Sequence, residues 1–147
     1  MEIQGGNLVS QIKRLSDRIF QRILSEQNMD AFNGEQGRIL YVLWQEEHIS
    51  LTELADRTEL AATSLTGMID RMEDMGLVCR VLDQSDRRKT LLTLTAKAWK
   101  LQQAYTAISD RMTAIFYAGF SEKEVVQCEA LLGRIHENLK RQACIQK

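Results

Sequence analysis

The spacing of apolar residues changes twice between residues 64 and 95. The first part carries apolar residues at helical spacing, at Leu65, Met68, Ile69, Met72 and Met75. Gly76 then stands where a left-handed residue commonly ends a helix. Residues 76–83 and 90–94 read as strands, and the polar sequence QSDRRK separates them. The pattern predicts a helix that leads directly into a two-stranded β-hairpin with a charged tip.

A second short helix is predicted just before this segment. Ser50 and Glu53 have the spacing of a capping box, which indicates a helix that begins after residue 50. A break at residues 59–62 separates it from the next helix. The order helix, tight turn, helix and hairpin is that of a winged helix-turn-helix, in which the second helix can enter a DNA major groove.

Long amphipathic helices are predicted on both sides of this segment. The 147 residues include no proline, which favours continuous helices. Apolar residues recur every three or four positions in three stripes: Leu8, Ile12, Leu15, Ile19 and Ile23; Leu101, Tyr105, Ile108, Met112 and Ile115; and Val125, Cys128, Leu132, Ile135 and Leu139. The small middle segment cannot cover all three stripes, so we expect dimerisation helices. The predicted fold class is mainly α with a small β-hairpin wing.

The outer face of the predicted second helix offers candidate DNA contacts. Its first two turns carry Thr63, Ser64 and Thr66, and Arg71 follows. Small hydroxylic side chains allow a close approach to base edges. The free backbone amides at the start of a helix favour binding of a phosphate. An ordinary surface helix rich in serine and threonine remains the alternative.

The hairpin tip is the second candidate contact. Arg87, Arg88 and Lys89 are consecutive, and Asp86 precedes them. A guanidinium on a narrow loop can enter the minor groove, where negative potential is concentrated. We assign Arg88 to the groove and Arg87 and Lys89 to phosphates, with Asp86 orienting a neighbouring guanidinium. A solvated turn is the competing interpretation.

Residues 32–98, and above all GLV-R at 76–80, SDRR at 85–88 and LT at 94–95, resemble the MarR family of bacterial transcriptional regulators. The resemblance implies a single domain over 1–147, with a DNA-binding lobe at 32–98 and dimerisation helices at 7–27 and 96–142. It also implies a homodimeric repressor that binds palindromic double-stranded DNA and responds to a phenolic or otherwise amphipathic small molecule, or to cysteine oxidation.

Individual positions also match the family. Ser64, Thr66 and Arg71 match its base-reading positions, and Asp86 and Arg88 match the Asp-x-Arg pair of its wing. Gly67 departs from the arginine that many members carry, which predicts fewer contacts from the helix and a larger part for the wing.

Charge leaves a second class of function open. The net charge is −1, and residues 50–98 hold seven Lys and Arg against eight Asp and Glu. A winged helix without a basic face would suit protein–protein interaction rather than DNA. DNA binding requires the cations to gather on one face.

Catalysis and metal binding have little support in the sequence. His48 and His136 have no ligand partner at helical spacing, and neither accompanies a nucleophile or phosphate-binding motif. We therefore expect no enzyme activity, no cofactor and no metal, although Glu46 and Glu47 could join the histidines only after folding. Among the cysteines, Cys79 lies in an apolar strand, Cys128 lies on a helix stripe and Cys144 is the expected least buried thiol.

The expected location is the cytoplasm. The longest apolar run, residues 39–44, is far below the roughly 20 residues of a membrane span. The first residues lack the basic and apolar parts of an export signal. Three cysteines without metal-like spacing also argue against a disulfide framework.

Overall fold

The computed structural model describes residues 1–29 and 34–145. Residues 32 and 33, with which the predicted DNA-binding lobe begins, lie outside this set. The described elements, in chain order, are α1 (Gly5–Glu26), α2 (Gly34–Gln45), β1 (Ile49–Ser50), α3 (Leu51–Thr58), α4 (Ala62–Asp74), β2 (Val78–Leu82), β3 (Thr90–Leu94), α5 (Ala96–Phe116) and α6 (Glu122–Ile145). No helix in the described ranges has the length and apolar character that a bilayer span requires.

Side-chain caps are present at the predicted start of α3 and at the start of α6. Ser50 Oγ accepts a hydrogen bond from the Glu53 amide at 3.2 Å. At the start of α6, Ser121 Oγ accepts from the Glu124 amide at 3.3 Å, and the Glu124 carboxylate accepts from the Ser121 amide at 2.8 Å. These bonds satisfy amides that have no partner inside a helix. Gly76 has φ +72°, the left-handed conformation expected after α4.

The sheet has one strand more than predicted. Its order is β1-β3-β2, with both neighbouring pairs antiparallel. Ile49 and Ser50 pair with Leu92 and Leu91, so the hairpin of β2 and β3 becomes a three-stranded sheet. The predicted hairpin of β2 and β3 is confirmed, and the added strand β1 was not predicted because two residues are too few to show alternation.

The chain divides into two compact units, Met1–Asp110 and Arg111–Lys147. The core of the first unit is built from fully buried aliphatic side chains: Ile23, Leu24, Ile39, Leu40, Leu43, Leu54, Leu65, Ile69, Leu77 and Leu92. Burying each one contributes about 1.5–3 kcal/mol relative to leaving it exposed. In the second unit the Tyr117 ring lies between those of Phe116 and Phe120, and its hydroxyl donates to Glu129 Oε1 at 2.8 Å.

Polar contacts fix the start of α5 against α2 and the sheet. The Trp44 indole donates from Nε1 to the Ala98 carbonyl at 3.2 Å. Glu47 Oε1 accepts from the Leu94 amide at 2.9 Å and from Trp99 Nε1 at 3.1 Å. One carboxylate therefore joins the end of the wing to the first turn of α5.

Tyr105 packs directly on α2 where that helix has a glycine. A Cβ on Gly37 would lie 2.0 Å from the Tyr105 hydroxyl oxygen. The ring centroid is 5.7 Å from that of Phe20 and 5.3 Å from that of Trp44. Burial raises the pKa of Tyr105 to about 12. Gly37 is therefore required for close packing rather than for backbone freedom.

We expect Gly37→Ala to destabilise the protein by about 1–3 kcal/mol, because the ring of Tyr105 must leave its aromatic contacts to admit the methyl group. Gly6→Ala is the matched control, since a Cβ there meets nothing within 4 Å. Chemical denaturation at one fixed protein concentration measures both effects. Equal unfolding midpoints for Gly37→Ala and the unsubstituted protein would contradict the packing assignment.

Candidate nucleic-acid interface

Helices α3 and α4 form the predicted helix-turn-helix. Helix α3 ends at Thr58, and Glu59 follows with φ +57° in the left-handed region. Helix α4 begins at Ala62, and Ala61 before it makes no side-chain cap hydrogen bond. The first turn of α4 therefore keeps free amide groups that can donate hydrogen bonds to a phosphate oxygen.

The two faces of α4 differ as the sequence predicted. Leu65, Met68, Ile69 and Met72 are buried. The candidate contacts on this helix, which are Thr63, Ser64, Thr66 and Arg71, are all exposed. Thr66 Oγ1 donates to the Ala62 carbonyl at 3.0 Å, which leaves its lone pairs available as acceptors. The helix thus presents a hydroxylic surface with one cation.

Gly67 and Arg71 share that surface. A Cβ on Gly67 would lie 3.9 Å from Arg71 Nη1, so the guanidinium lies over the glycine and points back towards the helix start. No ion pair of Arg71 occurs among the described residues. Arg71 therefore places a positive charge beside Gly67, the position at which the family resemblance had implied an arginine.

The wing loop is closed by its own hydrogen bonds. The Asp83 amide donates to the Lys89 carbonyl at 3.0 Å, and the Lys89 amide donates to the Asp86 carbonyl at 2.9 Å. Asp83 Oδ1 accepts from the amide of Ser85 at 3.0 Å and from its hydroxyl at 2.8 Å. These bonds lower the pKa of the Asp83 carboxyl. The tip of the hairpin is therefore held by hydrogen bonds within the loop itself.

Asp86 holds the guanidinium of Arg88. The distances are 3.1 Å from Arg88 Nε to Asp86 Oδ1 and 3.4 Å from Nη2 to Oδ2, and the Arg88 amide donates to Oδ1 at 3.1 Å. The Arg88 side chain and then its amide lower the pKa of the Asp86 carboxyl, which stays ionised at neutral pH. The Arg88 side chain is nevertheless 92% exposed, so most of its donors face solvent. Arg87 and Lys89 are exposed beside it.

Several carboxylates of this segment already have basic partners. Arg57 pairs with Glu46 at 2.5 Å and Glu53 at 2.8 Å. Asp70 and Glu73 on α4 pair with Arg80 on β2. These pairs offset part of the local negative charge, while Arg71, Arg87, Arg88 and Lys89 stay exposed on the two candidate surfaces.

The Arg80 pairing was not predicted from the sequence. Asp70 and Glu73 have a spacing that puts them on one helix face, which was an available signal. The direction of the Arg80 side chain depends on how β2 leaves α4, and residue types alone do not give that direction.

Trp44 and the three cysteines differ in exposure. Trp44 is 8% exposed and packs against Tyr105 in the core. Cys79 lies in β2, as predicted, and its side chain is exposed because successive side chains of a strand point to opposite faces. Cys144 is exposed, as expected, and Cys128 is between buried and exposed.

The histidines form no candidate metal centre. His48 is exposed, with φ +60°, and its amide donates to the Leu92 carbonyl at 2.9 Å. His136 Nδ1 lies 4.0 Å from Glu137 Oε1 on an exposed face of α6. Across residues 1–29 and 34–145, no group of three His, Cys, Asp or Glu side chains is arranged to hold a metal ion.

Comparison with known proteins gives a consistent result. The sequence profile of the MarR family matches residues 32–90. The HTH-type transcriptional regulator FarR of Neisseria gonorrhoeae is 31% identical over 97 residues, which are 65% of this chain and 64% of FarR. The chain therefore aligns with slightly less than two thirds of the length of that relative.

Two solved structures are similar along most of their length. A mutant of MarR from E. coli complexed with operator DNA has a TM-score of 0.81 at 22% identity, over 90% of this chain and 94% of that one. Bordetella bronchiseptica BpsR, whose DNA binding is regulated by 6-hydroxynicotinic acid, has a TM-score of 0.80 at 24% identity, over 91% and 99%. At such identities the likeness shows a common fold.

Proposed function

Because this chain belongs to the MarR family, we propose that it is a sequence-specific DNA-binding transcriptional regulator that acts as a homodimer. The observation that carries the proposal is the wing tip. Asp86 orients Arg88 through two contacts, while the arginine side chain stays 92% exposed. A fixed guanidinium at the end of a narrow hairpin suits insertion into a minor groove.

Each candidate residue has a proposed role. Helix α4 enters the major groove, where Ser64, Thr66 and Arg71 contact base edges. Thr63 and the open amides of the first turn bind a phosphate. Arg88 enters the adjacent minor groove. The flanking residues Arg87 and Lys89 bind phosphates and add affinity without reading sequence.

The proposed homodimer forms through the apolar stripes at the two ends of the chain. On α1, Leu8 is 51% exposed and Leu15 is 52% exposed. On α6, Ile135 is 47% exposed and Leu139 is 64% exposed, and no described residue of that helix is buried. A second copy of the chain has the same stripes, so dimerisation would remove both sets from water. These helices correspond to the proposed dimerisation segments 7–27 and 96–142, which flank the lobe at 32–98.

We also propose that the regulator is a cytoplasmic repressor whose DNA affinity falls when a phenolic or amphipathic molecule binds. Support comes from BpsR, for which a hydroxylated aromatic acid regulates DNA binding. An effector acts by favouring a dimer geometry that does not fit two adjacent major grooves. Trp44 belongs to the core of the first unit, and we leave it out of the effector site.

Selection of duplexes from a random DNA pool tests the proposal. A two-fold symmetric dimer should recover a pseudo-palindrome whose half-sites are centred about 10 base pairs, one helical turn, apart. Recovered sequences without internal symmetry would contradict the homodimeric mode of binding. An unenriched pool at low salt would contradict DNA recognition itself.

A further inference from the structure

Arg80 connects the wing to the recognition helix α4. Its Nη2 lies 2.6 Å from Asp70 Oδ1, and its Nη1 lies 3.2 Å from Glu73 Oε1. Asp70 and Glu73 are three residues apart and so share one face of α4. Only residues 75–77 separate this helix from β2. One guanidinium therefore bridges the two elements on either side of a tight turn.

The exposure of Arg80 differs from that of the candidate contacts on the wing. Its side chain is 30% exposed, against 92% for Arg88. The hydrogen bond to Asp70, followed by the charge of Glu73, raises the pKa of Arg80. With both ends of its guanidinium bound to carboxylates, Arg80 is oriented towards the protein rather than towards a phosphate.

Ion pairs this exposed contribute little to the free energy of folding. Their effect on geometry is larger, because two carboxylates on α4 hold a single planar group on β2. The bridge restricts the angle between the recognition helix and the wing. It also neutralises part of the negative charge on the helix proposed to enter the major groove.

We propose that Arg80 is a positioning residue for sequence recognition, which sets the wing against α4 so that both reach their grooves together. This inference rests on the proposed DNA-binding function. A loosened wing still meets phosphate, but it loses the fixed spacing between Arg88 and the base-reading residues of α4. Discrimination between operator and other DNA should therefore fall more than total DNA affinity.

Arg80→Ala tests the inference against a matched control. The control is Arg57→Ala, because Arg57 on α3 also pairs with two carboxylates, Glu46 and Glu53, but neither of them lies on α4 or β2. Fluorescence anisotropy gives the ratio of affinities for a selected operator and a scrambled duplex. We expect Arg80→Ala to lower that ratio about 10-fold and Arg57→Ala to leave it unchanged. An equal loss in both variants would overturn the inference.

Arg80→Lys separates position from charge. Lysine keeps the positive charge but cannot hold two carboxylates in one plane. We expect Arg80→Lys to leave the affinity for scrambled DNA unchanged and to lower the ratio of operator affinity to scrambled-DNA affinity. If the Arg80→Lys variant has the same affinity ratio as the unsubstituted protein, Arg80 acts only by neutralising charge, and the positioning role is overturned.

The double variant Asp70→Asn/Glu73→Gln gives the reciprocal test. It removes two negative charges near the DNA, so affinity for scrambled DNA should rise, while the affinity ratio should fall because the bridge is lost. A retained ratio would contradict the inference. If the unsubstituted protein fails to discriminate, the proposed function fails, and the inference fails with it. If it discriminates but the Arg80 variants match it, only the inference fails.

Discussion

Ile135→Asp is expected to convert the proposed dimer to a monomer. Ile135 lies on the α6 stripe with Leu132 and Leu139, and all three are exposed in the single chain. In the proposed dimer the new carboxylate would be buried in an apolar seam without a partner. Such a charge should weaken the dimer by about 100- to 1,000-fold. Sedimentation velocity at micromolar concentration measures the change.

Val126→Asp is the matched control on the same helix. Val126 is 70% exposed, and its helical angle places it on the opposite side of α6 from Ile135. This variant should remain dimeric. An Ile135→Asp protein that sediments as a dimer would show that the seam lies elsewhere.

Loss of the dimer should carry over to DNA binding. A dimer binds the second half-site as an intramolecular event, which raises affinity by about 100- to 10,000-fold over one half-site. The monomeric variant should therefore bind a full operator no better than a half-site duplex. The Val126→Asp variant should bind the full operator more tightly than the half-site duplex, by the same factor as the unsubstituted protein.

Arg88→Ala is expected to weaken operator binding about 5- to 150-fold while leaving the dimer folded. The substitution removes the guanidinium that Asp86 orients at 3.1 Å, and the surrounding loop keeps its own hydrogen bonds. Anisotropy titrations against operator and scrambled duplexes measure the change. We expect Arg88→Ala to lower the affinity for the operator more than the affinity for the scrambled duplex, because minor-groove width depends on sequence.

Substitutions of the two neighbouring cations serve as controls for Arg88→Ala. Arg87→Ala and Lys89→Ala should weaken binding to both duplexes alike, and each should reduce the slope of log affinity against log salt by about 1. Arg88→Ala with unchanged operator affinity would remove the wing from the proposed mechanism.

Local sequence signals predicted much of the fold. Ser50 with Glu53 indicated a helix start that the structure confirms, because a cap depends on residues only three positions apart. Gly76 likewise marked the end of α4 through its own backbone conformation. The alternation before and after QSDRRK predicted both long strands.

Features that depend on distant parts of the chain were not predictable in the same way. Strand β1 forms because Ile49 and Ser50 meet β3, some 40 residues later. The bridge between Arg80 and α4 depends on strand direction after the turn at Gly76. Trp44 lies in the core, where the carbonyl of Ala98, 54 residues later, accepts its indole hydrogen.

The sequence indicated which residues are candidates for the interface, but it indicated only part of their arrangement. The spacing of Asp86 and Arg88 suggested an oriented guanidinium, and the structure contains that pair. The position of Arg71 over Gly67 could not be inferred, because it depends on a side-chain conformation that no spacing rule specifies. Which of these residues contact DNA remains a prediction.

Fluorescence anisotropy of the purified protein, with the DNA upstream of its own gene and with a scrambled duplex at two salt concentrations, tests the central claim most directly. The account predicts tighter binding to one specific sequence, taken from the upstream DNA or from the selected pool, with affinity that falls as salt rises. Absence of binding to every duplex at low salt, by a folded dimer, would contradict it.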